Sequence, residues 1–79
     1  MSKKLYELIS NVLGIPNSNI NDDSSPENTD GWDSFKSILL FQELEKNFHI
    51  KFTIDEIYDI QTVLDIKKHL SNHGINLEE

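Results

Sequence analysis

The sequence predicts an all-α protein, a four-helix bundle with a short third helix and a long connection between its first two helices. Three observations carry this reading. Apolar residues recur at helical spacing in three separate stretches. Helix-capping patterns appear twice in the last third. The one alternating run, His49 to Ile54, has no second strand to pair with. At 79 residues the chain is expected to form one domain, 1–79, with a small core and no large substrate-enclosing cavity.

In the first helix, Leu5, Leu8, Ile9 and Val12 recur at spacings of three and four and form one stripe. Ser2 is a candidate N-cap, Gly14 stands where a left-handed C-terminal cap belongs, and Pro16 prevents the helix from resuming. Residues 14 to 33 are rich in Gly, Pro, Asn, Asp and Ser and contain five acidic residues and no basic one. A connection this long inside a small domain is normally functional or disordered. Ile15, Ile20 and Trp32 are placed to pin it across the helices, so an ordered loop is expected, with a short helical turn after Pro26.

The second helix begins near Ser34 and runs to about Phe48. On a helical wheel Ile38, Leu40, Phe41, Leu44 and Phe48 share one arc, the expected core face, and Lys36, Glu43, Lys46 and Asn47 should be wet. Phe35 and Leu39 fall at the edge of that arc. Either the long loop covers them or they form an apolar docking patch beside Ser34. Further on, Thr53-Ile54-Asp55-Glu56 fits a capping box. The helix it opens must be short, because Thr62 with Asp65 repeats the cap in weaker form before Val63, Ile66 and Leu70 supply the fourth stripe. Asn72, His73 and Gly74 end that helix.

Charge and composition narrow the function. Fourteen acidic against seven basic residues give a net charge of −7, which repels nucleic-acid phosphate and anionic membrane surfaces and favours partners with basic patches. There is no cysteine, so neither a disulfide nor a thiolate metal site can form. The first residues lack the apolar core of a signal peptide and no run reaches transmembrane length, so a cytoplasmic protein is expected. His69 and His73 stand four apart, a spacing able to bind zinc, but no third ligand is evident. Favourable charge near a helix C-terminus is their expected role. The acidic loop also fails as a calcium site: aligning Gly31 with the required glycine puts Pro26 at the first ligand and Ser37 at the bidentate Glu. No metal is expected.

The chemistry gathers at Asp30-Gly31-Trp32-Asp33-Ser34-Phe35, where an acidic, turn-prone segment presents a hydroxyl at a helix start. Local rules read Ser34 as an N-cap, because Ser and Asp are favoured there. A catalytic serine is disfavoured by the missing Gly-x-Ser-x-Gly elbow. A small enzyme is disfavoured too, since no base, nucleophile partner and cavity can be assembled. A helix N-terminus does suit a phosphodiester, with its free backbone donors and positive dipole end.

Asp33-Ser34-Phe35, continued by Ile38, Leu40, Phe41, Leu44, Glu45 and Phe48, resembles the acyl carrier protein family with its Asp-Ser-Leu signature and following helix. Trp32 is similar to the Trp-Asp-Ser-Leu variant of discrete carriers in specialised pathways. Ile57 to Val63 with Asp65 resembles the family's third-helix ending and Thr-Val-x-Asp fourth-helix start, and Leu5 to Gly14 its first helix. The resemblance therefore spans nearly the whole chain. It implies a non-enzymatic carrier in which Ser34 bears 4′-phosphopantetheine taken from coenzyme A, whose thiol holds acyl or aminoacyl groups as thioesters. It further implies a phosphopantetheinyl transferase that recognises Asp33, and acyl- or aminoacyl-loading and transferring enzymes as further partners. A monomer suits such a visitor. Fatty-acid carriers usually present acidic residues on the second helix. Here Lys36 and Leu39 take two of those positions, Glu45 matches a later one, and Phe35 replaces Leu. Phe35, Lys36, Leu39 and Glu43 are the expected partner-facing residues, in a carrier with narrower company than the housekeeping one. The alternative is an unmodified helical interaction module in which Ser34 is only a cap.

Overall fold

The computed structural model describes residues 3–75. Four helices follow in order: α1 (Lys3–Leu13), α2 (Ser34–Phe48), α3 (Ile54–Asp59) and α4 (Val63–Asn72). There is no strand among the described residues. The bundle, the short α3 and the long first connection agree with the sequence expectation. The predicted cap at Ser2 lies outside the described residues.

α1 buries Leu5, Ile9 and Leu13 at intervals of four, while Leu8 and Val12 are half-buried on its flank. It stops where predicted. Gly14, at φ +72°, turns left-handed, and its amide donates to Ser10 O at 2.8 Å. The chain then makes a 3-10 turn, Asn17–Asn19, that was not predicted, and the turn expected after Pro26 stays a single turn, closed by the Asn28 amide on Ser25 O at 3.2 Å, and does not become a helix. The reason is local bonding. Asn28 Oδ1 accepts the Ser25 amide at 2.9 Å and Ser24 Oγ accepts the Asn21 amide at 2.9 Å, so short polar side chains compete for the amides.

The long loop is bolted down on both sides. Ile20 and Trp32 are buried and Ile15 packs against the core. Tyr6 Oη donates to Asp22 Oδ1 at 2.6 Å, and Lys67 Nζ reaches the same oxygen at 2.5 Å, tying α1, loop and α4 together. The carbonyls of Asp22 and Ser24 accept the Leu64 and Val63 amides at 3.0 Å each. Those are first-turn amides of α4, which have no acceptor within their own helix.

On α2 the predicted core face needs correction. Leu40 and Leu44 are buried and Phe41 and Phe48 half-buried, but Ile38 is 56% exposed. Leu40, Leu44 and Phe48 follow one another at intervals of four and define the buried line, which leaves Ile38 on the flank facing α3. Past α2, His49 takes a left-handed conformation (φ +56°) as C-cap. Glu45 Oε2 then accepts the amide of buried Phe52 at 2.8 Å. The alternating run 49–54 thus packs as a tethered connector. Both capping boxes form in full, Thr53 with Glu56 and Thr62 with Asp65, the second stronger than expected because Asp65 also accepts the Gln61 amide at 3.0 Å.

Candidate functional site

Ser34 is exposed and is the first residue of α2. It is not the cap. Asp33 holds the extended cap conformation (φ −117°, ψ −173°), and its Oδ1 accepts the Lys36 amide at 2.9 Å. The interaction-module reading, which made Ser34 the cap, loses its assigned role for this serine. With the carboxylate one residue upstream already serving the helix end, the Ser34 hydroxyl is left without a capping task. The first-turn amides of Ser34 and Phe35 have no helical acceptor by construction, and the dipole's positive end lies with them.

Three features fix this serine in place. Gly31, at φ +85°, makes the turn, and a Cβ there would lie 3.4 Å from the Leu13 carbonyl of α1. Trp32 follows, buried, with its Nε1–H donated to Ser37 Oγ at 2.9 Å on the first turn of α2. The Asp33 cap completes the hold. Ring burial, indole bond and carboxylate cap all act on the same helical turn.

Ser34 stands at the rim of a cleft of about 530 Å³ between α2 and α3. Trp32, Ile38 and Phe41 line one side, and Ile54, Ile57 and Tyr58 of α3 line the other. The lining contains no histidine, carboxylate or lysine. The cleft lining therefore supplies no side-chain base to this serine. Among the described residues no group of three His, Asp or Glu side chains is placed to hold a metal.

The family model for the phosphopantetheine attachment site matches residues 3–70. The chain belongs to this family. Its members bind 4′-phosphopantetheine covalently and generally act as non-catalytic carriers, working with phosphopantetheinyl transferases and biosynthetic enzymes. The match runs across all four helices, so this chain is a carrier by its whole architecture. No described helix is long and apolar enough to cross a membrane.

The residues expected to face partners do not form one patch in this carrier. Phe35 is 65% exposed, so the loop does not cover it. Leu39 and Glu43 line a separate groove between α1 and α2, with Leu8 and Val12 of α1. Neither Lys36 nor Glu43 is wet as predicted: both are half-buried, and Lys36 Nζ lies 3.3 Å from the Val12 carbonyl in the last turn of α1. A cation there complements the helix dipole. Glu45 is likewise committed, to the Phe52 amide.

The sequence reading missed the α3 half of the cleft. Ile54, Ile57 and Tyr58 are 70%, 36% and 79% exposed, a stripe at spacings of three and four on a six-residue helix. That spacing was the available signal. It also missed the use of His69 and His73, which face carboxylates of α3: His69 Nε2 lies 2.7 Å from Asp59 Oδ2, and His73 Nε2 lies 2.8 Å from Glu56 Oε2.

Proposed function

We propose that Ser34 is the attachment point and that the chain is a discrete acyl or aminoacyl carrier serving a specialised biosynthetic pathway rather than housekeeping fatty-acid synthesis. The observation that carries the assignment is the exposed Ser34 hydroxyl, relieved of capping by Asp33, on a turn locked by Trp32 at the mouth of an apolar cleft.

The attached group supplies a terminal thiol on a long arm, able to carry acyl or aminoacyl groups as thioesters. The chain's own residues supply place and recognition. Transfer forms a bond from Ser34 Oγ to the phosphorus nearest the pantetheine and breaks the pyrophosphate of coenzyme A, with the nucleotide half leaving. The hydroxyl proton goes to a base of the transferase, since the cleft lining offers none. The first-turn amides and dipole of α2 favour the new phosphodiester charge. Asp33 presents its carboxylate at the same end for the transferase to recognise. The cleft beside the attachment point has room to shelter an apolar cargo.

Partner choice falls to the exposed Phe35 beside the arm, with the half-buried Lys36, Leu39 and Glu43 toward α1. Replacing Lys36 and Leu39 with acidic residues is expected to weaken docking to the native partner enzyme. Unchanged docking removes this face from the account.

Incubation with coenzyme A and a broad-range phosphopantetheinyl transferase, read by intact mass, tests the central assignment. A gain of one phosphopantetheine that disappears in Ser34→Ala is the expected result. No gain with a transferase that modifies a control carrier would falsify it.

A further inference from the structure

α3 forms one wall of the cleft yet none of its six residues is buried. Its apolar side chains Ile54, Ile57 and Tyr58 line the cleft, and its carboxylates Glu56 and Asp59 meet α4. There they encounter two histidines one helical turn apart. Glu56 Oε1 accepts the Thr53 amide at 2.8 Å, closing the capping box, while Oε2 takes His73 Nε2 at 2.8 Å and lies 3.4 Å from His69 Nδ1. His69 Nε2 bonds Asp59 Oδ2 at 2.7 Å. The charged groups facing His69 across the helix interface are thus Glu56 and Asp59. On α4 itself its neighbours are Asp65, whose carboxylate is turned to the Gln61 and Thr62 amides, Lys68 and His73.

Both ring nitrogens of His69 therefore face carboxylates, and a neutral imidazole has a proton for only one. With Nε2–H given to Asp59, the buried Nδ1, which makes no hydrogen bond, turns a lone pair toward Glu56. The imidazolium instead offers N–H in both directions. We propose that His69 with Glu56 and Asp59 is a protonation-gated latch that clamps α3 to α4 and thereby sets the opening of the cleft beside Ser34. The route from latch to cleft is packed. His73 meets Phe52 edge-on with centroids 5.6 Å apart, and Phe52 meets Phe41 of the cleft at the same separation. The same geometry raises the His69 pKa above its ordinary 6.5, through the Asp59 bond first and Glu56 after it, against the opposing effect of burial. Loss of the proton releases α3, the element with the least burial to hold it otherwise. The use of the latch, sheltering or freeing a cargo at the root of the arm, rests on the carrier reading.

Amide hydrogen exchange on the full, unmodified chain tests it, followed by NMR between about pH 5.5 and 8, the range in which histidine titrates. Protection is corrected for the intrinsic pH dependence of exchange. The informative amides are Ile57 and Ile60, bonded to Thr53 O and Glu56 O, against Ile66 in α4, bonded to Thr62 O. The expected result is a several-fold loss of protection at Ile57 and Ile60 as pH rises, with Ile66 unchanged. In His69→Gln the α3 protection should sit at the low value throughout. Asp59→Asn, at an exposed position, should lower the acid-side protection and covers the case in which His69→Gln does not fold. Protection at Ile57 and Ile60 that is flat with pH in the native chain, or that falls as steeply in the folded variants, overturns the latch. The carrier reading is judged separately by the Ser34 mass gain: exchange that follows pH without a mass gain sinks the carrier alone, and flat exchange with a mass gain sinks the latch alone.

Discussion

α3 and α4 are neighbours in sequence and are held by opposite means. α4 buries Val63, Ile66 and Leu70 completely, and the long loop lends it two carbonyls for its first-turn amides. α3 buries nothing and is held by a capping box, the partly buried Ile60 at its C-terminal end and the histidine–carboxylate pairs. The difference teaches where a small carrier keeps its rigidity. The Ser34 turn of α2 sits at the seam, locked on the rigid side through Trp32, Gly31 and Asp33 and facing the loosely held helix across the cleft. Local opening free energies vary across a fold in this way, and sites of exchange are drawn from the weaker end.

The sharpest way to break this comparison is to cut a methyl-bearing side chain from each helix. Ile66→Ala should cost about 2–5 kcal/mol, the range for a fully buried aliphatic. For a domain this small that is a large share of a total of roughly 5 kcal/mol, so partial unfolding at room temperature is expected by denaturant titration. Ile57→Ala, at a position 36% exposed, should cost about 1 kcal/mol or less. Equal losses would erase the distinction between the two helices.

Glu45 asks whether the connector into α3 belongs to the rigid side. Its carboxylate is the acceptor for the buried Phe52 amide, and Glu45→Ala leaves that donor without a partner. The expected cost is about 1–2 kcal/mol, measured by urea unfolding. Glu45→Gln keeps an acceptor of the same reach and should recover most of it. A neutral outcome for Glu45→Ala would mean that water reaches Phe52, and that the loose region begins before α3.

Much of this architecture was legible in the sequence, and the misses on the helix faces come from contacts made beyond the helix itself. α1, its Gly14 stop, both capping boxes and the pinned loop rest on short-range rules, and each appears where those rules put it. Ile38 and Lys36 went wrong because a helical wheel ranks side chains by angle alone. Their surroundings are set by what lies opposite: a cleft for Ile38 and the carbonyl end of α1 for Lys36. Ser34 was legible as a position and as a family motif, but local rules could not choose between it and Asp33 as the cap. Both are good caps, and only the backbone geometry separates them. The histidine pairs were invisible because their partners come from a different helix.

Asp33 sharpens the rigid side of the comparison at the site itself, since it has a structural task and a proposed recognition task. Asp33→Ala should cost about 1 kcal/mol through the lost cap and also slow modification of Ser34. Asp33→Asn keeps the cap, so stability should stay within a few tenths of a kcal/mol while modification still slows. Modification by a transferase at the native rate in Asp33→Asn would leave the residue a cap and nothing more.

The smallest effects should come from pH, and here the two regions differ in how stability is lost. Asp22, held low by Lys67 and Tyr6, and Asp65, held low by the Gln61 and Thr62 amides, have folded values below their ordinary 3.8. Their contributions are present above that value and fade as pH falls through the lowered one. Asp22 braces the loop against α4 and Asp65 closes the capping box of that helix, so acid loss should appear together in helical circular dichroism and in Trp32 emission. Solvent screening keeps the half-exposed Asp22 pair to about 1 kcal/mol at most. His69 has the opposite sign. Its folded value is raised, so its contribution is complete below about 6.5 and is lost as pH rises through the raised value. That loss is local to α3. A melting temperature should fall by only a few degrees on the alkaline side, since about 1 kcal/mol corresponds to roughly 4–8 °C in a domain of this size. Trp32, in the cleft wall, should respond there before the helical signal does. If both probes fell together on the alkaline side, α3 would be part of the cooperative core, and the two helices would not be held differently after all.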